Sequence, residues 1–180
     1  MQINTIVKVK NHLKTIITHK KYVMTYCFKA GLYSQGILHD LSKFSPIEFF
    51  ESVKYYQGNR SPNAAEREKK GYSAAWLHHK GRNKHHYEYW FDFSNVEKKY
   101  VPIKIPIQYV KEMICDRIAA SKVYLKDQYT KSSALEYFNR TYDRHEMHPE
   151  TSELLKSWLE LVSEKGETEA IKIIKKVKNY

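Results

Sequence analysis

Residues 5–30, TIVKVKNHLKTIITHKKYVMTYCFKA, set the reading of the whole chain. The apolar positions Ile6, Leu13, Ile16, Ile17, Val23, Met24 and Cys27 recur at helical spacing. Gly31 follows as a helix stop. Working outward, a second helix is expected over 37–56. Pro46 is a point of restart, because Ser45-Pro46-Ile47-Glu48 supplies an N-cap, a first-position proline and an early carboxylate. Residues 57–71 form a polar connection with a short helix at 64–69. A helix over 73–80 and a loop over 81–84 come next, with another helical turn near His85. Pro102 and Pro106 break the chain before a strong helix at 107–126. Helices at 132–143, 149–165 and 167–178 complete it. In the last, Ile171, Ile174 and Val177 turn inward while Lys172, Lys175, Lys176 and Lys178 stay wet. The expectation is an all-α bundle of six to eight helices in a single domain, 1–180.

Composition agrees. The 180 residues are 42% hydrophobic and 28% charged, enough to build a core, and Gly 6 with Pro 5 is too few turn-formers for a β-sandwich. No run approaches the roughly 18–20 apolar residues of a membrane span, and the N-terminus lacks a signal-peptide core. Cys27 and Cys115 make no disulfide framework, so buried thiols and a cytoplasmic setting are expected. There is no βαβ alternation and no Gly-rich phosphate loop. Lys+Arg 31 against Asp+Glu 20 leaves a net charge of +11. That surplus fits a small anionic substrate better than nucleic acid, because the lysines are scattered over helices and no DNA- or RNA-reading motif is present. The sequence leaves the oligomeric state open.

Nine histidines are the specific excess. His39 and Asp40 lie between Leu38 and Leu41, and a buried carboxylate is costly without a counter-charge or a metal. Asp116 sits on the 107–126 helix beside Tyr109, Met113, Ala120 and Val123, where a carboxylate again needs a partner. His19 shares a helix face with Ile16, Val23 and His12. In Trp76-Leu77-His78-His79-Lys80-Gly81-Arg82-Asn83-Lys84-His85-His86-Tyr87, four histidines fall within nine residues, and neutral imidazole is a common metal ligand. Taken singly, each feature is more often a satisfied core or surface residue than a ligand. Arg60 and Lys80 read as solvated surface. Glu48, Glu51 and Glu88 are candidate proton shuttles. His145 and His148 fall in a loop before the 149–165 helix.

The ordered series His19, His39-Asp40, His78/His79, His85/His86, Asp116 resembles the HD-domain superfamily of helical metal enzymes. The likeness spans about residues 12–126, with the C-terminal helices at 131–180 outside it. Within that superfamily the chain is most similar to a small bacterial and phage family of unknown function, some members of which are labelled catalase. The resemblance implies an HD-domain-like helical bundle in which His19, His39, Asp40 and Asp116 hold one metal. Asp40 would bridge to a second, held by members of the two histidine pairs. Which members ligate stays open, His79 and His86 being preferred and His85 next. Lys43 matches a His-Asp-x-x-Lys variant whose lysine contacts substrate or bridging ligand, and Arg82 and Lys84 are further candidates for an anionic substrate. The Gly-Tyr-Pro signature of cyclic-dinucleotide phosphodiesterases is missing, and the histidine pairs stand closer together than in the dinuclear branch.

Mixed nitrogen and oxygen donors suit one or two divalent transition metals: Mn, Fe, Zn, Co or Ni. The expected activity is a metal-dependent phosphohydrolase or phosphodiesterase acting on a nucleotide or other small phosphorylated substrate, with metal-activated water as nucleophile. One alternative is a mixed-valent di-iron oxygenase similar to myo-inositol oxygenase. The other is a non-enzymatic nucleic-acid or protein-binding module with a structural metal site.

Overall fold

The structure is a computed structural model, described for residues 4–141 and 146–180. Among them are nine α-helices: α1 (Thr5–Ala30), α2 (Tyr33–Leu38), α3 (Pro46–Lys54), α4 (Pro62–Lys70), α5 (Ala74–Lys80), α6 (Ile107–Leu125), α7 (Ser133–Arg140), α8 (Pro149–Lys165) and α9 (Glu167–Lys176). A hairpin of β1 (Phe91–Ser94) and β2 (Lys99–Pro102) is the sheet among the described residues. The chain is a mostly helical bundle, as expected from its patterning. His145 and the predicted helix end at 142–143 lie outside the described residues.

Two expectations need correction. In place of one helix over 37–56, α2 starts earlier, at Tyr33, and ends at Leu38, a 3-10 turn follows at Leu41–Phe44, and α3 ends at Lys54, which makes nine helices among the described residues. The division falls at Asp40, whose backbone is left-handed at φ 54° and ψ 25°, a conformation that cannot continue a right-handed helix. The second correction is the hairpin. Phe91 pairs with Pro102, Asp92 with Val101, Phe93 with Tyr100 and Ser94 with Lys99. Phe91-Asp92-Phe93-Ser94 alternates apolar and polar residues but Lys99-Tyr100-Val101-Pro102 does not, so four-residue strands carry too little periodicity to stand out in a helical chain.

The long helix α1 is built as expected at both ends. Asn4 accepts a hydrogen bond from the Ile6 amide at 2.9 Å. Gly31 is left-handed at φ 80°, and the amides of Gly31 and Leu32 return to the Phe28 and Cys27 carbonyls. Its inward stripe differs from the one read in sequence. The buried positions are His12, Ile16, His19, Val23, Tyr26, Cys27 and Ala30, whereas Ile6, Leu13 and Ile17 are exposed. Two imidazoles therefore replace aliphatic side chains on the buried face.

That face lies on α6, the central helix, which buries Val110, Met113, Ile114, Cys115, Ile118 and Ala119. The core continues into Phe138 of α7, Leu155, Leu159 and Val162 of α8, and Ala170, Ile171 and Ile174 of α9. Cys27 and Cys115 are buried free thiols within it. No described helix is long and apolar enough to cross a membrane.

Gly36 sets how closely α2 approaches α1. A Cβ built there would meet the Cys27 Cβ at 3.0 Å and the Phe28 ring at 3.2 Å. Phe28 is partly exposed and can swing away, but the Cys27 Cβ is fixed to the backbone of a long helix. Gly36→Ala should therefore cost about 1–3 kcal/mol by overpacking, seen as a lower urea midpoint at unchanged slope. An unchanged midpoint would mean that α2 can slide freely on α1.

Candidate metal centre

Five segments converge: α1, the α2–α3 junction, α5, the loop after it, and α6. His19 stands midway along α1. His39 closes α2, and the left-handed turn at Asp40 aims the next carboxylate back toward it. Lys20 pins this junction by donating to the Ile37 and His39 carbonyls at 2.6 and 2.8 Å. His79 lies in the last turn of α5, which Glu66 anchors by accepting from Ser73 Oγ at 2.6 Å and from the Ala74 amide at 3.0 Å. His85 and His86 follow in a loop held by Asn83, whose Nδ2 donates to Ser42 Oγ at 2.9 Å and to the His79 carbonyl at 2.8 Å. Glu112 and Asp116 lie one turn apart on α6 and so share a face.

Two four-residue sets result: His19, His39, Asp40 and Asp116, and Asp40, His79, His85 and His86. In each, one ligand atom per residue lies within 4.8 Å of every other. Asp40 belongs to both. Its Oδ2 is 3.6 Å from His19 Nε2 and 3.3 Å from His39 Nε2, while its Oδ1 is 3.3 Å from His79 Nε2 and 3.4 Å from His85 Nε2. His19 Nε2 is 3.0 Å from Asp116 Oδ1, and His79 Nε2 is 2.9 Å from His86 Nε2. The side chain of Asp40 is 3% exposed.

Outer carboxylates orient the imidazoles. His39 Nδ1 lies 2.8 Å from Glu112 Oε1, and His85 Nδ1 lies 3.1 Å from that same oxygen. His79 Nδ1 is 2.8 Å from Glu48 Oε2, and His78 Nδ1 is 2.6 Å from Glu48 Oε1. A neutral imidazole that donates from Nδ1 leaves its Nε2 lone pair free to ligate.

Electrostatics follow from this crowding. Burial raises the carboxyl of Asp40, but His39, Lys43 and His79 beside it hold it well below the usual carboxylate range. Asp116 is likewise held well down, burial being outweighed by hydrogen bonds from His19 and His39. Burial disfavours the charged form of His39 too, yet Asp40, Asp116 and Glu112 lift it well above the ordinary imidazole value. His86 goes the other way, pushed well down by burial and by His85 and His79. Asp40 Oδ1 and His85 Nε2 are buried without a hydrogen-bond partner. An unpaired carboxylate oxygen facing an unpaired ring nitrogen is a donor arrangement that a cation satisfies. Buried His and Asp clusters able to hold a metal ion are thus present, and they fit a transition metal by their mixed donors.

All seven residues read in sequence as ligands lie in these two sets: His19, His39, Asp40, His79, His85, His86 and Asp116. His78 does not, because it turns to Glu48. Lys43 is half-buried with its Nζ 2.6 Å from Asp40 Oδ2. Arg82 and Lys84 form no ion pair with Asp40 or Asp116. Arg82 is exposed and donates to the His78 carbonyl at 3.2 Å, and the Lys84 ammonium lies over the rings of Tyr89 and Tyr109. Arg60 pairs with Glu68 on the surface. Glu51 pairs with Lys70, while Glu88 and His148 stand outside both sets. Glu48, a candidate proton shuttle by sequence, contacts the imidazoles of His78 and His79. Glu112 was missed, and its signal was available: it precedes Asp116 by four residues on a helix whose buried face already carried one carboxylate.

Neither a curated protein nor a solved structure matches the chain. A family model does match, over residues 8–161, a stretch that contains every member of both ligand sets. By that match the chain belongs to the family of unknown function DUF5662.

Proposed function

We propose that the chain is a metal-dependent phosphohydrolase or phosphodiesterase acting on a nucleotide or other small phosphorylated substrate. The observation that carries this reading is Asp40, one carboxylate with an oxygen in each of two imidazole-rich sets. The helical setting and the ordered His, His-Asp, His, Asp series support a place in the HD-domain superfamily, and through it the expectation of water-dependent phosphoryl chemistry. Bound there, divalent ions would lower the pKa of water to supply a hydroxide nucleophile and would offset charge on phosphoryl oxygens.

The chain's own groups have definable parts in this reading. His19, His39, Asp40 and Asp116 hold one ion, and Asp40, His79, His85 and His86 the other, drawn from Mn, Fe, Zn, Co or Ni. Lys43, partly exposed beside Asp40, is the cation nearest the sets and serves to contact a substrate phosphoryl oxygen. Arg82, exposed on the 81–86 loop, is available to the outer part of an anionic substrate.

The test begins with metal-stripped protein reloaded with Mn, Co, Fe or Zn. Unfolding should shift upward, by about 4 kcal/mol per ion at a free metal concentration a thousandfold above Kd. The loaded protein should then cleave phosphomonoesters or phosphodiesters in a nucleotide screen. A pure preparation that retains no transition metal and shows no shift would sink the proposal. Oxygen consumption by the iron-loaded chain with a mixed-valent EPR signal, and no hydrolysis, would move the assignment to a di-iron oxygenase.

A further inference from the structure

Beyond the ligands themselves, Glu112 occupies a singular position. Its Oε1 receives Nδ1 of His39 and Nδ1 of His85, and these two imidazoles present Nε2 to different ligand sets. We infer that Glu112 is a shared positioning residue that makes the two sets bind their ions as a unit. Which ring nitrogen of a neutral histidine is free to ligate depends on what the other nitrogen bonds. One carboxylate oxygen therefore decides the tautomer and ring orientation of one ligand in each half. A displacement of Glu112 turns both rings together, so occupancy of one half stiffens the other through Glu112 as well as through Asp40.

Glu48 provides the contrast. It bonds His79, a member of the second set only, and His78, a member of neither. Its reach is confined to one half. His39, His85 and Glu112 also come within ligand distance of one another, but they do so through the Nδ1 atoms. The 2.8 and 3.1 Å separations to one oxygen are those of N–H donors to a carboxylate. The trio supports the two sets and does not form a third.

This inference rests on the metal-centre part of the proposed function and is independent of the reaction catalysed. The experiment titrates cobalt(II) into the full-length wild type, Glu112→Gln and Glu48→Gln, reading stoichiometry and Kd by calorimetry and ligand-field absorption. Wild type should bind two ions. Glutamine keeps the shape of the side chain but is a weaker acceptor, so Glu112→Gln should weaken both ions by roughly 10–100-fold, the usual cost of losing an outer partner. Glu48→Gln should weaken one ion only. If Glu112→Gln weakens a single ion or none, or if wild type binds three, the inference is overturned while the metal centre stands. If wild type binds none, the metal centre itself fails. Should Glu112→Gln not fold, 15N imidazole spectra of zinc-loaded wild type decide the matter. Nδ1–H tautomers at both His39 and His85 sustain the inference, and an Nε2–H tautomer at either ring overturns it.

Discussion

An Asp40→Asn chain is expected to lose both metal ions, each bound more than about 100-fold more weakly than by the wild type, and to lose hydrolysis with them. The figure exceeds the roughly 10–100-fold cost of removing an outer partner, because Asp40 is a member of both ligand sets. Asparagine keeps the shape but can offer an oxygen to one side only. The amide nitrogen that takes the other place is a donor and repels a cation. It also faces the Nε2 atoms of either His19 and His39 or His79 and His85, now without a negative charge between them. Lys43, 2.6 Å from Oδ2, becomes an uncompensated cation at the same spot and repels metal further. Asp116→Asn is the graded comparison. Its Oδ1 is 3.0 Å from His19 Nε2, whereas its Oδ2 is 4.0 Å from His85 Nε2, so the first ion should suffer more than the second. Metal content after dialysis and a manganese-induced shift in unfolding temperature report both variants. Wild-type metal content in Asp40→Asn would remove the basis of the centre.

The second large effect concerns acid. His12 is buried on α1 against Phe49 and Tyr56, with its Nδ1 lacking a hydrogen-bond partner. Burial, with the Lys43 charge as a lesser cause, pushes its imidazole down to about 4. In the unfolded chain the same group titrates near 6.5. Between those values the unfolded state binds a proton that the folded state refuses, so stability rises with pH across the interval. The penalty is absent above about pH 6.5, grows as pH falls, and is complete below about pH 4, where it reaches about 3 kcal/mol. His12→Leu removes it without leaving a buried polar atom unpaired. Urea unfolding of metal-free wild type and variant should diverge steadily from pH 6.5 to 4, with the variant gaining on the wild type. Parallel curves would show that His12 takes its proton in the folded chain as readily as in the unfolded one.

Much of this molecule is legible from local chemistry. The stop at Gly31, the restart at Pro46 and the starts at Ile107 and Pro149 depend on neighbours in sequence, and they stand where the residues place them. The imidazoles and carboxylates of the ligand sets announce themselves because they are costly choices on buried faces. What escaped reading depends on contacts distant in sequence. Glu112 carries a spacing signal, four residues before Asp116, but its role depends on His39 and His85, which the fold brings to it from other segments. Leu13 and Ile17 look like core until His12 and His19 take the inward stripe.

The sequence alone therefore determined the helical class and the donor inventory, both consequences of short-range periodicity and of the price of burying polar groups. Tertiary structure decided how the donors divide. Asp40 becomes common to two sets because its left-handed turn lies between α1, α5 and α6, and His78 is diverted because Glu48 reaches it first. Those outcomes depend on angles and distances between residues up to 97 positions apart, as from His19 to Asp116, and the packing of α1 on α6 and of α3 on α5 sets them.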